Sequence, residues 1–294
     1  MHTATYYIDL LLSGITVGSL YALIAIGYTM VYGILRLINF AHGDIFMMSG
    51  FFMIYVSATL PMAVSIPVVL LMTVLLGVLI ERAAYKPLRS APRMSVMISA
   101  IGVSYLLQNL ATYITGGLAR PYPEISFLKK SFAVGSLNIK IITLLTPVLT
   151  ILLVISLVIF IKHTKTGMAM RAVSKDFDTA RLMGIKVNSV ITVTFIIGSF
   201  LAGVGSILYF TNYGQVSPTI GAMPGLKAFV AAVFGGIGSI PGAMIGGFAI
   251  GLLEALVSAV GLSIWKDGVV FAILIVVLLV KPTGILGRPQ TEKV

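Results

Sequence analysis

Long apolar runs separated by short polar breaks dominate this chain. The first run, Tyr6 to Leu35, carries a single charge, Asp9, and ends at Arg36. Further runs cover Ile45–Leu60, Met62–Ile80, Ser95–Thr115, Ile141–Ile161, Val187–Phe210, Phe248–Ile264 and Val269–Val280. A helix needs ~20 apolar residues to cross the hydrocarbon core, and many of these runs reach or approach that length. Pro61 and Pro67 fall at or near the start of the third run, where proline is best tolerated. The pattern turns irregular after Phe210. NYGQVSPTIGAMPG (212–225) has no charge and many breakers, Leu226–Phe234 is too short to cross, and GGIGSIPGAMIGG (235–247) is dense in glycine. Asp9 at the start of the first run and a basic C-terminus predict an outside N-terminus and a cytoplasmic C-terminus, hence an odd number of crossings. Eight runs plus one broken crossing within 212–235 satisfy that parity, and irregular backbone at membrane depth must be buried in protein or line a wet path. The expectation is an all-α, polytopic helical bundle of about 8–9 spans forming a single transmembrane domain over residues 1–294.

Composition sharpens this picture. With 58% hydrophobic and 10% charged residues among 294, and a mean hydropathy of +1.06, a soluble domain is excluded. The net charge of +11 does not point to nucleic acid, because it sits at the ends of apolar runs. Thirteen of the 20 Lys and Arg residues lie in 81–93, 162–186 and 281–294, the distribution that places loops on the cytoplasmic side. The segment 116–140, with Arg120, Glu124, Lys129 and Lys130, is expected on the other side. No aromatic-interleaved basic stripe of a nucleic-acid groove is present. The chain has no cysteine, which excludes disulfides and thiolate chemistry. The N-terminus lacks a basic leader region and reads as the first span rather than a removed signal.

The polar stretch KHTKTGMAMRAVSKDFDTARLMGIK (162–186) carries six basic and two acidic residues between uncharged runs. Thr166 is expected to cap a short helix running through Ala172, and Asp176 to cap a second that stops at Gly184. Ala172, Val173, Phe177, Ala180 and Met183 give the pair an apolar side, with Arg171, Lys175 and Arg181 elsewhere. A structured, charged cytoplasmic loop is a docking surface for a partner; the plainer alternative is a solvated linker whose charge sets topology.

Candidate chemistry is sparse. No GxxxxGK[ST] loop occurs, so the chain has no means of holding nucleotide phosphates, and no HExxH, GxSxG or metal-ligand spacing appears. No enzyme, metal site or bound cofactor is expected. Asn39, His42 and Asp44 form a polar knot after the first run, either a buried hydrogen-bond cluster or a feature shaping a pathway. Gln108 and Asn109 read as polar glue between helices. Glu254, an acid inside a late apolar run, either lines a pathway or bonds to a partner span. The glycines Gly235, Gly236, Gly238 and Gly242 with Ser239 also leave two readings. Close helix packing extends through Gly246, Gly247 and Gly251; alternatively, the break before Pro241 exposes half-helix ends to a zwitterionic solute.

Five stretches together resemble the LivH-type permease subunits of bacterial branched-chain amino acid ABC importers. They are GSLYALIAIGYTMVYGILRLINFAHGD (18–44), ERAAYKPLR (81–89), GMAMRAVSKDFDTARLMGIKV (167–187), LKAFVAAVFGGIGSIPGAMIGG (226–247) and KPTGILGR (281–288). The similarity runs over nearly the whole chain and is least in 116–140. It implies an inner-membrane subunit that pairs with a second homologous permease, two ATP-binding cassette ATPases that bind the ATP, and a periplasmic amino-acid-binding protein. It also implies that 162–186 is similar to the coupling helices that insert into the ATPase, with Arg171, Lys175, Asp176, Asp178, Arg181 and Gly184 as the coupling residues. Leucine, isoleucine and valine are the implied solutes; relatives for urea, short amides or other amino acids are the same-family alternative. A self-sufficient channel or ion-driven carrier is the alternative of a different class, and the scarcity of ionisable residues in the apolar runs argues against it.

Overall fold

The structure, a computed structural model, describes residues 2–89, 91–134 and 137–287. The basic terminal stretch 288–294, on which the expected cytoplasmic C-terminus partly rests, lies outside the described residues. The helices are α1 His2–Leu35, α2 His42–Ser57, α3 Met62–Ile80, α4 Arg93–Thr115, the four-residue α5 Ser126–Lys129, α6 Ile141–His163, α7 Lys165–Lys175, α8 Phe177–Leu182, α9 Val187–Tyr213, α10 Ala222–Gly235, α11 Ile240–Ala259 and α12 Lys266–Val280. A π-helical turn, Glu81–Tyr85, extends α3. Among the described residues, sheet is limited to two small antiparallel pairs at the end of the bundle opposite α7 and α8. Arg120–Pro121 (β1) pairs with Gln215–Val216 (β4), and Ser131–Val134 (β2) with Leu137–Lys140 (β3).

Among the described residues, seven helical segments are long and apolar enough to cross a membrane. With the shorter α2 and α10, nine apolar helices make up the bundle among the described residues. Central α1 and α9 bury 67% and 72% of their apolar stretches, whereas α4 and α6 bury 22% each and α12 with its leading turn 6%. Those rim helices present apolar side chains such as Leu106, Leu152 and Leu279 outward, as lipid or a neighbouring subunit requires.

Small residues let α1 and α11 approach backbone to backbone. A Cβ on Gly14 would lie 2.8 Å from the Ala255 methyl, and one on Gly18 would lie 2.8 Å from Phe248 Cα. On the facing helix, Gly247 meets Ala22 and Gly251 meets Gly18, so both strips repeat a small residue every fourth position. The glycine-dense 235–247 is therefore not an irregular crossing. Most of it is the first two turns of α11, started by Ser239, whose hydroxyl accepts from Gly242 N at 3.2 Å, and by Pro241 in the first turn.

The irregular part lies elsewhere, and it explains why two helices are short. The His42 imidazole sits where a Gly27 side chain would be, and its Cε1 is 3.7 Å from the Cβ position of Gly198. Gly27 is eight residues before the end of α1 and Gly198 eleven after the start of α9, which places His42 ~12–16 Å inside the bundle at 1.5 Å per residue. From that mid-depth start α2 climbs to Phe210 and Val216 near the far end of α9, where Gly50 meets both. α10 begins at the same level, with Gly221 and Gly225 against Gly43, and runs the opposite way to Gly235, which packs on Gly242. Two half-length helices thus start tip to tip in the middle of the bundle.

Candidate functional site

Among the described residues, polar chemistry is concentrated in four places: the tip made by α7 and α8, a buried ion pair behind it, the mid-depth junction of α2 with α10, and an ionic cluster between α10, α11 and α12.

At the tip, α7 is capped by Thr164, whose hydroxyl accepts from Gly167 N at 3.0 Å, and the helix runs to Lys175. The expected cap, Thr166, is instead inside the first turn, because α7 starts at Lys165, one residue after α6 ends at His163, and Thr164 between them takes the cap. Asp176 caps α8 as expected: Oδ1 accepts from Asp178 N at 2.9 Å and Thr179 N at 3.3 Å, and Oδ2 from the Thr179 hydroxyl at 2.9 Å. Gly184 closes the unit in the left-handed region, φ 80°. Val173 and Ala180 are buried, and Phe177 is half-buried against the core. Met183, expected on that apolar side, is instead 78% exposed, and its neighbour Leu182 is 87% exposed. Arg171, Lys175, Asp176, Asp178 and Arg181 are exposed too. The tip therefore offers two bare apolar side chains within a ring of charge.

Behind the tip, a brace that the sequence did not reveal joins α3 to α9. The Glu81 carboxylate is fully buried; it pairs with Arg89 through one oxygen and accepts from the Thr192 hydroxyl at 3.1 Å through the other. Arg89 also donates to Asn188 in the first turn of α9. Burial draws the Arg89 guanidinium below its ordinary pKa, and the Glu81 charge opposes that shift. One acid among the basic residues of 81–93 gave no hint of this role.

At mid-depth the polar knot does not form one cluster, because its side chains diverge to different helices. Asn39 Oδ1 accepts from the Tyr85 hydroxyl at 2.8 Å. His42 packs edge-on to Tyr28, ring centroids 4.9 Å apart. Asp44, 2% exposed, accepts from Gln108 Nε2 at 3.0 Å, and the same amide lies 3.2 Å from the Ser104 hydroxyl. Gln108 is the interhelical tie expected of it. Asn109 is not: it is exposed and donates to Tyr105 O of its own helix at 2.8 Å. A cavity of about 280 Å³ opens beside Asp44, between α2, α4 and the start of α10.

Glu254 is a tie between helices. Its Oε1 is 2.7 Å from Lys227 Nζ on α10, and the Tyr21 hydroxyl of α1 donates to it at 3.2 Å. Lys227 also lies 2.6 Å from Asp267 Oδ1 at the start of α12. In the sequence Lys227 sits in a run too short to count as a span. Its signal was its charge, isolated among apolar residues.

The glycine hinge is at the α7–α8 end of the bundle, well below Asp44. Gly236 and Gly238 take φ of 108° and 93°, and residues 284–287 clasp the turn through Ile285 N to Phe234 O and Leu286 N to Gly235 O, both 2.9 Å. The half-helix starts that reach mid-depth belong to α2 and α10, not to the break before Pro241. Among the described residues no group of three or more His, Asp or Glu side chains is arranged to hold a metal.

The family described as "Branched-chain amino acid transport system / permease component" matches residues 10–278. The high-affinity branched-chain amino acid transport system permease protein LivH of Escherichia coli is 44% identical, covering 98% of both chains, and BraD of Pseudomonas aeruginosa gives the same figures. A probable branched-chain amino acid transport permease of Methanocaldococcus jannaschii is 30% identical over 92% of this chain and 89% of its own length. No solved structure matches. The chain belongs to the family of branched-chain amino acid transport permeases.

Proposed function

We propose that this chain is the inner-membrane permease subunit of an ATP-driven importer for leucine, isoleucine and valine, and that α7 and α8 receive the motion of a cytoplasmic ATPase. The observation that carries the reading is the tip: two capped helices presenting Leu182 and Met183 within exposed charges. Large apolar side chains left bare on a charged loop mark a surface built to be covered. The relatives named for branched-chain amino acid transport supply the solute, and the absence of any phosphate-holding loop in the sequence leaves the energy to another chain.

In this reading a second homologous permease packs beside the chain, two ATPases grip the tips, and a periplasmic binding protein delivers solute. ATP binding draws α7 and α8 together with the ends of α6 and α9. The Glu81–Arg89–Asn188 brace passes the displacement to α3, and α9, which touches both α1 and α2, carries it to mid-depth. Nucleotide drives transport only so far as this contact differs between outward- and inward-open states. Glu254 is held by Lys227 rather than free to carry protons, which disfavours an ion-driven carrier. The test is leucine accumulation in proteoliposomes holding the chain, its second permease, the ATPases and a leucine-binding protein. Accumulation should require ATP on the ATPase side. Accumulation by this chain alone would overturn the reading, and uptake of urea or short amides in place of leucine would replace the solute.

A further inference from the structure

We propose that the mid-depth cavity between α2, α4 and α10 is a resting site for the amino-acid solute on its way through, with the Asp44 carboxylate receiving its ammonium group. The proposal rests on the importer reading above, which supplies an amino acid as solute.

Three acids are buried in the described bundle: Asp44, Glu81 and Glu254. Arg89 neutralises Glu81 and Lys227 neutralises Glu254. Among the described residues, no Lys, Arg or His forms an ion pair with Asp44, whose side-chain partners are the neutral Gln108 amide and Ser104 hydroxyl. A carboxylate at membrane depth is expensive unless it is paired or faces a wet cavity, and Asp44 lines one. A ligand carrying a cation completes what the protein leaves unpaired.

The rest of the cavity suits the remainder of such a ligand. Ser104 and Gln108 lie on the α4 wall, and Ile101, Tyr105 and Leu226 supply apolar surface. Ser104 is eleven residues into α4, ~16 Å from its start, so the polar wall sits at the level of the half-helix starts rather than at either surface. Its volume of about 280 Å³ is near the lower bound of small-molecule sites, ~300–1,000 Å³. That is room for one amino acid and little more. Polar groups at this depth cannot face hydrocarbon, so the open side of the cavity looks onto a wet path or a second subunit.

Asp44→Asn tests the charge alone, since an asparagine retains the shape and can still accept from Gln108. In the reconstituted importer, leucine uptake should fall at least ~tenfold, the scale on which losing one partner of a buried charge pair acts. ATP hydrolysis stimulated by loaded binding protein should stay within ~twofold, because Asp44 is remote from the coupling tip. Unchanged uptake in an assembled, hydrolysing complex overturns the proposal. Failure of the unmodified complex to take up leucine with ATP overturns the importer reading instead. A second measurement stands if Asp44→Asn does not assemble. Ser104→Cys places a lone thiol in this cysteine-free chain. Its labelling by a small cationic thiosulfonate, followed by mass on this chain, should slow severalfold while leucine is being transported. Equal labelling with and without leucine turnover contradicts a resting site there.

Discussion

Lys227 lies 2.7 Å from Glu254 and 2.6 Å from Asp267, with 6% of its side chain exposed; Arg181 lies 3.6 Å from Asp178, with 62% exposed. Both are cation–carboxylate pairs, yet water makes them different objects. An exposed pair in high dielectric contributes ~0–1 kcal/mol and is screened by salt. A buried pair has surrendered its hydration, so removing one partner strands the other at a cost of ~3–5 kcal/mol. The cluster at Lys227 fastens four helices, α1, α10, α11 and α12, through Tyr21, Lys227, Glu254 and Asp267. At the tip the Asp176 carboxylate caps α8, while the exposed Arg181–Asp178 pair ties no two helices together.

The comparison breaks first at Lys227. Lys227→Ala leaves Glu254 buried without a cation and should lower stability by ~3–5 kcal/mol, read as thermal unfolding in detergent. The double change Lys227→Met with Glu254→Leu should recover most of that, because Asp267 is partly exposed and can be hydrated. Glu254→Gln should cost less than Lys227→Ala, since Asp267 still holds the lysine. Next comes packing without charge. Gly251→Val forces a side chain into the Gly18 backbone and should cost ~1–3 kcal/mol or more, pushing α1 from α11 while the Lys227–Glu254 and Lys227–Asp267 pairs keep their partners.

Smaller effects belong to the tip and the loops. Thr164→Ala removes the α7 cap and should cost ~1 kcal/mol, whereas Asp176→Asn should cost little because asparagine caps as well as aspartate. Smallest is Glu124, whose carboxyl is held below its ordinary pKa by the hydrogen bond and charge of Lys129, 2.5 Å away. A lowered carboxylate pKa contributes above the ordinary value and is lost as pH falls through the lowered one. Lys129→Ala should therefore raise the Glu124 midpoint, visible by carbon NMR, and leave transport unchanged.

Much of this was legible in the pattern of the chain. Long apolar runs gave the spans, and the Asp176 cap with Gly184 gave α8, because capping is local chemistry. What could not be read was depth. A run beginning at Ile45 appears as a short span, and nothing local says that His42 starts it beside Gly27 in the middle of the bundle. The glycines of 235–247 looked like a break because glycine marks both broken backbone and close packing; only the partner helix distinguishes them. Partners were likewise invisible: Lys227 to Glu254, Arg89 to Glu81 and Gln108 to Asp44 are separated by 27, 8 and 64 positions. Met183 misled because helical spacing put it on the apolar side, while the helix ends one residue before it, at Leu182.

The central claim is that energy enters through the tip and nowhere else in this chain. Arg171→Glu with Arg181→Glu reverses two exposed charges while both caps and the core stay as they are. The direct measurement is leucine taken up per ATP hydrolysed by the reconstituted importer. The account predicts a large fall in that ratio with an unchanged unfolding temperature and an assembled complex. An unaltered ratio, with the reversed charges in place, would contradict it.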